Sequence, residues 1–215
     1  MENNVYKEKL AEHLLKIKAI QLNPQSPFTW ASGLKSPVYC DNRKLLSYPE
    51  IRDFVKEGLV SLVNEYFPHT ECIAGVATAG IPHGAIIADA LNLPFIYVRS
   101  KPKEHGLTNT IEGELRHGQR VLVVEDTIST GGSSLKAVQD LRTSGAEVIG
   151  MIAIYKYGFE RTKQRFSDEG VILKTLTNYN FLIQAAEQNH YITPDDSDTL
   201  KSWNSDPIEW SKRFE

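Results

Sequence analysis

Residues 121–134 read VLVVEDTISTGGSS, and this stretch limits the possible folds more than any other. It opens with four apolar residues, Val121, Leu122, Val123 and Val124. Such a β-branched run predicts a strand buried on both faces of a parallel sheet. Glu125 and Asp126 follow at the strand's end. Then comes a loop of hydroxyl residues and glycines: Thr127, Ile128, Ser129, Thr130, Gly131, Gly132 and Ser133. Residues 134–141 have helical spacing, with Leu135, Val138 and Leu141 on one face.

Strand, hydroxyl-glycine loop and helix together make a cradle for phosphate. Glycines let the backbone approach closely, loop N–H groups point at the anion, and the helix N-terminus adds partial positive charge. No Lys follows the glycines, so this is not the nucleoside-triphosphate loop, and G-x-G-x-x-G is absent. Two carboxylates beside the cradle would repel a bare anion. They suit a ligand that also presents hydroxyls, because a carboxylate only accepts hydrogen bonds. Phosphate at one end and a diol beside it describe a ribose 5-phosphate.

The rest of the chain has the make-up of an ordinary globular protein. Its 215 residues suffice for one well-buried core, and 41% hydrophobic with 24% charged residues is a soluble composition. A net charge of −3 argues against a general nucleic-acid binder. No apolar run is long enough for a bilayer span. The N-terminus, MENNVYKEKL, is polar and mixed in charge, neither signal nor transit peptide, so the cytoplasm is the expected compartment. Cys40 and Cys72 lack a C-x-x-C or His cluster, which argues against a disulfide framework or a zinc site.

In chain order, residues 5–20 predict an amphipathic helix, and Asn23 and Pro24 end it. The segment 26–49 is rich in Pro, Ser, Gly and aromatics. It predicts two short strands, 28–31 and 38–41, joined by a turn at Gly33. A helix is expected over 51–67, with Phe54, Leu59, Leu62 and Val63 buried, then a strand over 72–76. Thr78, Ala79 and Gly80 open a second strand-loop-helix connection, a second candidate anion site. A strand over 95–98 leads into Arg99, Lys101, Lys103 and His105 within a segment ending at Gly113, where neither helix nor strand is expected. Strands are predicted over 147–155 and 171–176 and a helix over 178–188. The polar remainder, 193–215, reads as a loop and a short helix anchored by Trp203, Trp210 and Phe214.

Residues 121–133 resemble the signature of type I phosphoribosyltransferases, which bind phosphoribosyl pyrophosphate (PRPP). Ser32, Gly33, Lys35, Ser36, Pro37 and Tyr39 resemble the S-G-x-K-S-P-x-Y hood of the orotate phosphoribosyltransferases. Arg99, Lys103 and His105 match that family's R-x-x-x-K-x-H lid. There are two departures. Ala31 stands where some members have a Lys, and Ser100 replaces another Lys, with Lys101 beside it.

The resemblance implies an α/β fold of the type I phosphoribosyltransferase kind: a central parallel sheet flanked by helices, with a small N-terminal hood. One domain is expected over 1–215: helix and hood (1–50), PRPP-binding core (51–160) and C-terminal elements (161–215). Ligands of such sheets bind beyond the C-terminal strand ends, so the three loops can converge on one cleft. By resemblance PRPP would meet Arg99, Lys103, His105, Glu125, Asp126 and the loop Thr127, Ile128, Ser129, Thr130, Gly131, Gly132 and Ser133. Lys103, His105 and Asp126 would be catalytic. Thr78, Ala79 and Gly80 would face the pyrophosphate, and Ser129 would contact the orotate base. Arg43 and Lys156 are both candidates for the orotate carboxylate.

The implied reaction is orotate plus PRPP giving orotidine 5′-monophosphate and pyrophosphate. Mg2+ would be held through substrate oxygens and water, with no dedicated protein ligands. A homodimer with shared active sites is also implied, with no nucleic-acid or membrane partner. The alternatives are a transferase for another base, or a regulator that binds PRPP as an effector.

Overall fold

The computed structural model describes residues 3–30, 33–100 and 110–214. The N-terminal part comprises α1 (Asn3–Lys16), β1 (Ile20–Leu22), β2 (Phe28–Thr29), β3 (Lys35–Ser36), β4 (Val38–Cys40) and a 3-10 turn (Asn42–Ser47). The core follows: α2 (Pro49–Tyr66), β5 (Cys72–Val76), α3 (Gly80–Leu91), β6 (Phe95–Val98), β7 (Ile111–Glu112), β8 (Arg120–Ile128), α4 (Gly132–Thr143) and β9 (Glu147–Lys156). The chain then forms α5 (Glu160–Asp168), β10 (Leu173–Asn178), α6 (Tyr179–Gln188), α7 (Pro194–Ser205) and α8 (Pro207–Ser211), and a 3-10 turn (Lys212–Phe214) ends it.

Six strands form the central sheet in the order β10-β9-β8-β5-β6-β7. All neighbours are parallel except β6 and β7. From β5 the chain steps to β6 on one side, then returns to lay β8 on the other. That reversal leaves a crevice at the C-terminal ends of β5 and β8, where sheets of this type hold ligands. The strands need no amphipathic alternation, because helices cover both faces. All five residues of β5 are buried, as are Val121–Val124 of β8.

One face packs Leu122, Val124 and Ile154 under α1, α2, α3 and α6, through residues such as Leu10, Leu59, Ile87 and Leu182. The other packs Val121, Val123 and Met151 under α4 and α5, through Val138, Leu141 and Phe166. Cys72 is a fully buried core residue.

Several boundaries differ from the sequence expectation. Helix α1 stops at Lys16, well short of Ile20: Lys18 takes a left-handed conformation (φ 55°), and Ile20–Leu22 becomes a strand. Its partner is Val38–Cys40. The Gly33 turn is present (φ 86°), but the hairpin it closes joins Phe28–Thr29 to Lys35–Ser36. Phe54 is only half-buried, and Val55 takes the core position. Ile111–Glu112, expected to be irregular, adds a two-residue antiparallel edge to β6. The tail forms two helices instead of one; Thr193 and Asp196 close a capping box at the start of α7. Trp203 and Trp210 are buried anchors there, while Phe214 packs its ring on Trp210 with its other side exposed.

Candidate active site

The β8 strand is longer than its apolar run. It continues through Glu125, Asp126 and Thr127 to Ile128, so these residues lie on a strand and the phosphate loop shortens to 129–131. Ile128 is buried in the core and is absent from the lining of the cleft formed by its neighbours. Gly131 closes the loop in a left-handed conformation (φ 73°) and caps α4, which starts at Gly132. A β-carbon there would press on the Phe166 ring at 2.7 Å.

Asp126, Thr127 and Ser133 line a cleft of about 340 Å³, together with Glu125. Thr78 and Ala79 form its second wall, at the end of β5. The hood supplies the third wall through Cys40, Asp41 and Arg43. Gly80 does not face the cleft. It is buried against β8, where a β-carbon would overlap the Val124 carbonyl. Gly75 packs against it, since a β-carbon on Gly75 would lie only 2.8 Å from the Gly80 carbonyl oxygen. Close packing of two backbones thus brings the second loop against the strand that carries the acids.

The two acids sit in different surroundings. Glu125 is buried; Ser134 donates to its Oε1 (3.1 Å), and its other oxygen accepts from the Asp126 N–H (3.2 Å). Burial, then the neighbouring Asp126 charge, raises the Glu125 carboxyl above the usual carboxylate range. Asp126 is half-buried and is also raised by burial, against the opposing hydrogen bond from Thr127 (3.2 Å).

A polar layer beneath the cleft was not anticipated from the sequence. Asn42 is fully buried, and its Nδ2 donates to Thr127 Oγ1 (2.9 Å) and the Asp126 carbonyl (3.3 Å). The Cys40 Sγ lies 3.5 Å from the same hydroxyl, and burial pushes this thiol up to about 12. His83, on α3, lies against the Asn42 backbone, and burial pushes it down to about 4. Asn42 Oδ1 and His83 Nε2 have no hydrogen-bond partner among the described residues. Asn42 stands between the charged residues Asp41 and Arg43, and nothing in the sequence marks it as internal.

The remaining candidates divide. Arg43 reaches the cleft rim, largely exposed, with its Nε on Asp41 Oδ1 (2.6 Å); that bond holds Asp41 below the usual carboxylate range. Lys156 lines a separate cavity of about 270 Å³ with Phe159, Thr162 and Phe166 on the α5 side, so of the two orotate-carboxylate candidates only Arg43 borders the cleft. Arg99 follows β6, and its guanidinium meets Glu112 (3.3 Å) outside the cleft lining. Ser129 turns its hydroxyl to the Thr130 N–H (2.6 Å). Lys35 keeps its ammonium on Thr29 within the hairpin (2.9 Å). Trp30 packs edge-on against Tyr157 and Trp203 at 5.5 and 5.8 Å, tying the hood to the body. Ala31, Ser32, Lys101, Lys103 and His105 lie outside the described residues. Also among the described residues, no group of three or more His, Cys, Asp or Glu is placed to hold a metal ion by itself, and no helix is long and apolar enough to cross a membrane.

Comparison with known proteins agrees with this architecture. The family model described as a phosphoribosyl transferase domain matches residues 42–190. An orotate phosphoribosyltransferase of Bacteroides fragilis is 61% identical over 200 residues, covering 93% of this chain and 94% of that protein. One from Cytophaga hutchinsonii is 54% identical over 207 residues, covering 96% and 99%. The crystal structure of orotate phosphoribosyltransferase from Aeropyrum pernix superposes with a TM-score of 0.74 at 29% identity, covering 86% of this chain and 99% of that one. The chain belongs to the phosphoribosyl transferase family and, within it, to the orotate phosphoribosyltransferases.

Proposed function

We propose that this cleft transfers the ribose 5-phosphate group of PRPP to orotate, yielding orotidine 5′-monophosphate and pyrophosphate in pyrimidine biosynthesis. The observation that carries the reading is the meeting, around one cavity, of the ribose acids, the second anion loop and the hood. Those are the parts a sugar diphosphate and a planar acceptor require.

In this reading the 5′-phosphate rests on loop 129–133 at the α4 N-terminus, whose N–H groups and partial positive charge favour a dianion. Asp126, the more accessible acid, accepts from the ribose diol, with Glu125 held behind it by Ser134. Thr78 and Ala79 face the pyrophosphate. Arg43 at the rim receives the orotate carboxylate.

The C1′–O bond to pyrophosphate breaks and its electron pair leaves with the pyrophosphate. A bond forms from the orotate ring nitrogen to C1′, and that nitrogen gives up its proton. Charge therefore grows on the leaving group while the ribose becomes cationic. Lys103, His105 and Arg99 would answer the first, and the Asp126 carboxylate the second.

A magnesium ion fits such a site. Two adjacent carboxylates, each raised by burial, would be relieved by a cation brought in on substrate oxygens. It would supply charge neutralisation of the pyrophosphate. Homodimeric assembly with shared sites, and residence in the cytoplasm, rest in this proposal on the family alone.

Calorimetric titration of PRPP with magnesium tests the site. Binding by the native protein that weakens about tenfold or more in Asp126→Asn is expected, the scale of a lost charged hydrogen bond. Equal affinity in the variant would place the ribose elsewhere.

A further inference from the structure

Helix α5 was not foreseen, yet it touches the phosphate loop at three consecutive residues. Thr162 Oγ1 donates to the Ser129 carbonyl (2.8 Å). Arg165 Nη1 donates to the Thr130 carbonyl (2.8 Å). The Phe166 ring lies directly against Gly131. Thr162, Arg165 and Phe166 are spaced i, i+3 and i+4, so one face of the helix carries all three contacts.

A peptide plane carries its C=O and the next N–H on opposite edges. Holding the Ser129 and Thr130 carbonyls against α5 therefore turns the N–H groups of Thr130 and Gly131 away from it, toward the anion side of the loop. In this state the Thr130 N–H is occupied by the Ser129 hydroxyl. Phe166, meanwhile, closes the space that would otherwise let the glycine peptide flip. Glycine's freedom makes such a loop prone to reorient, which is what a fixed donor array must prevent.

We propose that α5 is a clamp setting the peptide orientations of the phosphate cradle, with Thr162 and Arg165 as positioning residues for the 5′-phosphate end of PRPP. The proposal deepens the functional reading above and rests on it. Neither residue touches substrate; each acts through a carbonyl. A merely structural role for α5 would change stability and leave the ratio of substrate constants alone.

The test compares Thr162→Val, Thr162→Ser, Arg165→Ala and Arg165→Lys in the full chain, by steady-state kinetics and by PRPP calorimetry. Thr162→Val and Arg165→Ala should each raise the KM for PRPP about tenfold, the size of one lost hydrogen bond or slightly more, with the KM for orotate unchanged and kcat within about twofold. Thr162→Ser, which keeps the hydroxyl, should restore the native value, and Arg165→Lys part of it. Arg165 is exposed, so its variants stay informative if Thr162→Val fails to fold. Native-like PRPP constants in the folded Arg165→Ala protein would overturn the clamp while leaving the functional reading intact. Failure of the native protein to bind PRPP would overturn both.

Discussion

The Asn42 side-chain nitrogen sits 2.9 Å from the Thr127 hydroxyl, which joins the hood to the strand bearing the acids. The same amide reaches the Asp126 carbonyl, and both lie under the cleft floor. Asn42→Ala would leave that carbonyl without its side-chain donor and open a cavity beneath Asp126. Stability should fall by about 1–3 kcal/mol, and the KM for PRPP should rise several-fold. Denaturant melts and PRPP titrations measure the two effects; a loss of stability with unchanged PRPP use would make Asn42 a purely structural residue.

His83 gives a pH signature. Its folded pKa is depressed from 6.5 to about 4 by burial, so the neutral ring is the native form. A depressed folded pKa contributes stability above the unfolded value of 6.5, and that stability is lost as pH falls toward 4. The loss should be about 3 kcal/mol across that window. His83→Gln should remove this part of the acid sensitivity, read as the difference between native and variant unfolding free energies at pH 7 and pH 4. Parallel curves would show that His83 does not govern it.

The acids carry the opposite sign. Burial raises Glu125 and Asp126, so in the ligand-free protein the pair stabilises the fold most at low pH, and that contribution declines as pH rises above the ordinary carboxylate range. Binding of magnesium and PRPP favours the ionised forms and should release protons. Titrations in buffers of different ionisation enthalpy near neutral pH will count them. No proton release would mean the acids are already ionised in the free cleft. Ser134→Ala removes a hydrogen bond to the Glu125 carboxylate and should increase the release.

Gly80 tests the close approach of the second loop to β8. Gly80→Ala puts a β-carbon into the Val124 carbonyl, where backbone must move. About 1–3 kcal/mol of stability should be lost, and pyrophosphate affinity with it, because Thr78 and Ala79 follow the backbone. Thermal melts with and without pyrophosphate check this.

Lys103 tests the lid expectation. Lys103→Ala should lower kcat by about 10²–10³, as the loss of one transition-state donor does, with an unchanged melting temperature. Near-native turnover would remove Lys103 from the catalytic set.

What could be read from the sequence follows burial. The strand at Cys72–Val76 was plain because two-sided burial writes a continuous apolar run, and Phe95–Val98 because its residues are apolar or aromatic although only Ile96 and Val98 are fully buried. Where burial is partial, the signal fails. Helix α5 buries only Thr162 and Phe166 among polar neighbours, so its period had too few points to register. The end of β8 is masked because Glu125, Asp126 and Thr127 are chosen for the cleft, while the ladder to β9 continues through Ile128. The hood's pairing depends on Ile20–Leu22, whose apolar character equally fits the end of a helix. In the site, residue types with an obvious chemistry were visible: the acids, the hydroxyl loop and Arg43. Asn42, His83 and Thr162 were not, because a polar residue that acts from within looks like a surface residue until its surroundings are known.

The most direct test of the central claim follows orotate absorbance in the presence of PRPP and magnesium, with each component omitted in turn and with other nucleobases in place of orotate. The account predicts consumption of orotate only in the complete mixture, with equal release of pyrophosphate and no transfer to adenine, hypoxanthine or uracil. Transfer to one of those bases with orotate untouched, or no transfer to any, would contradict it.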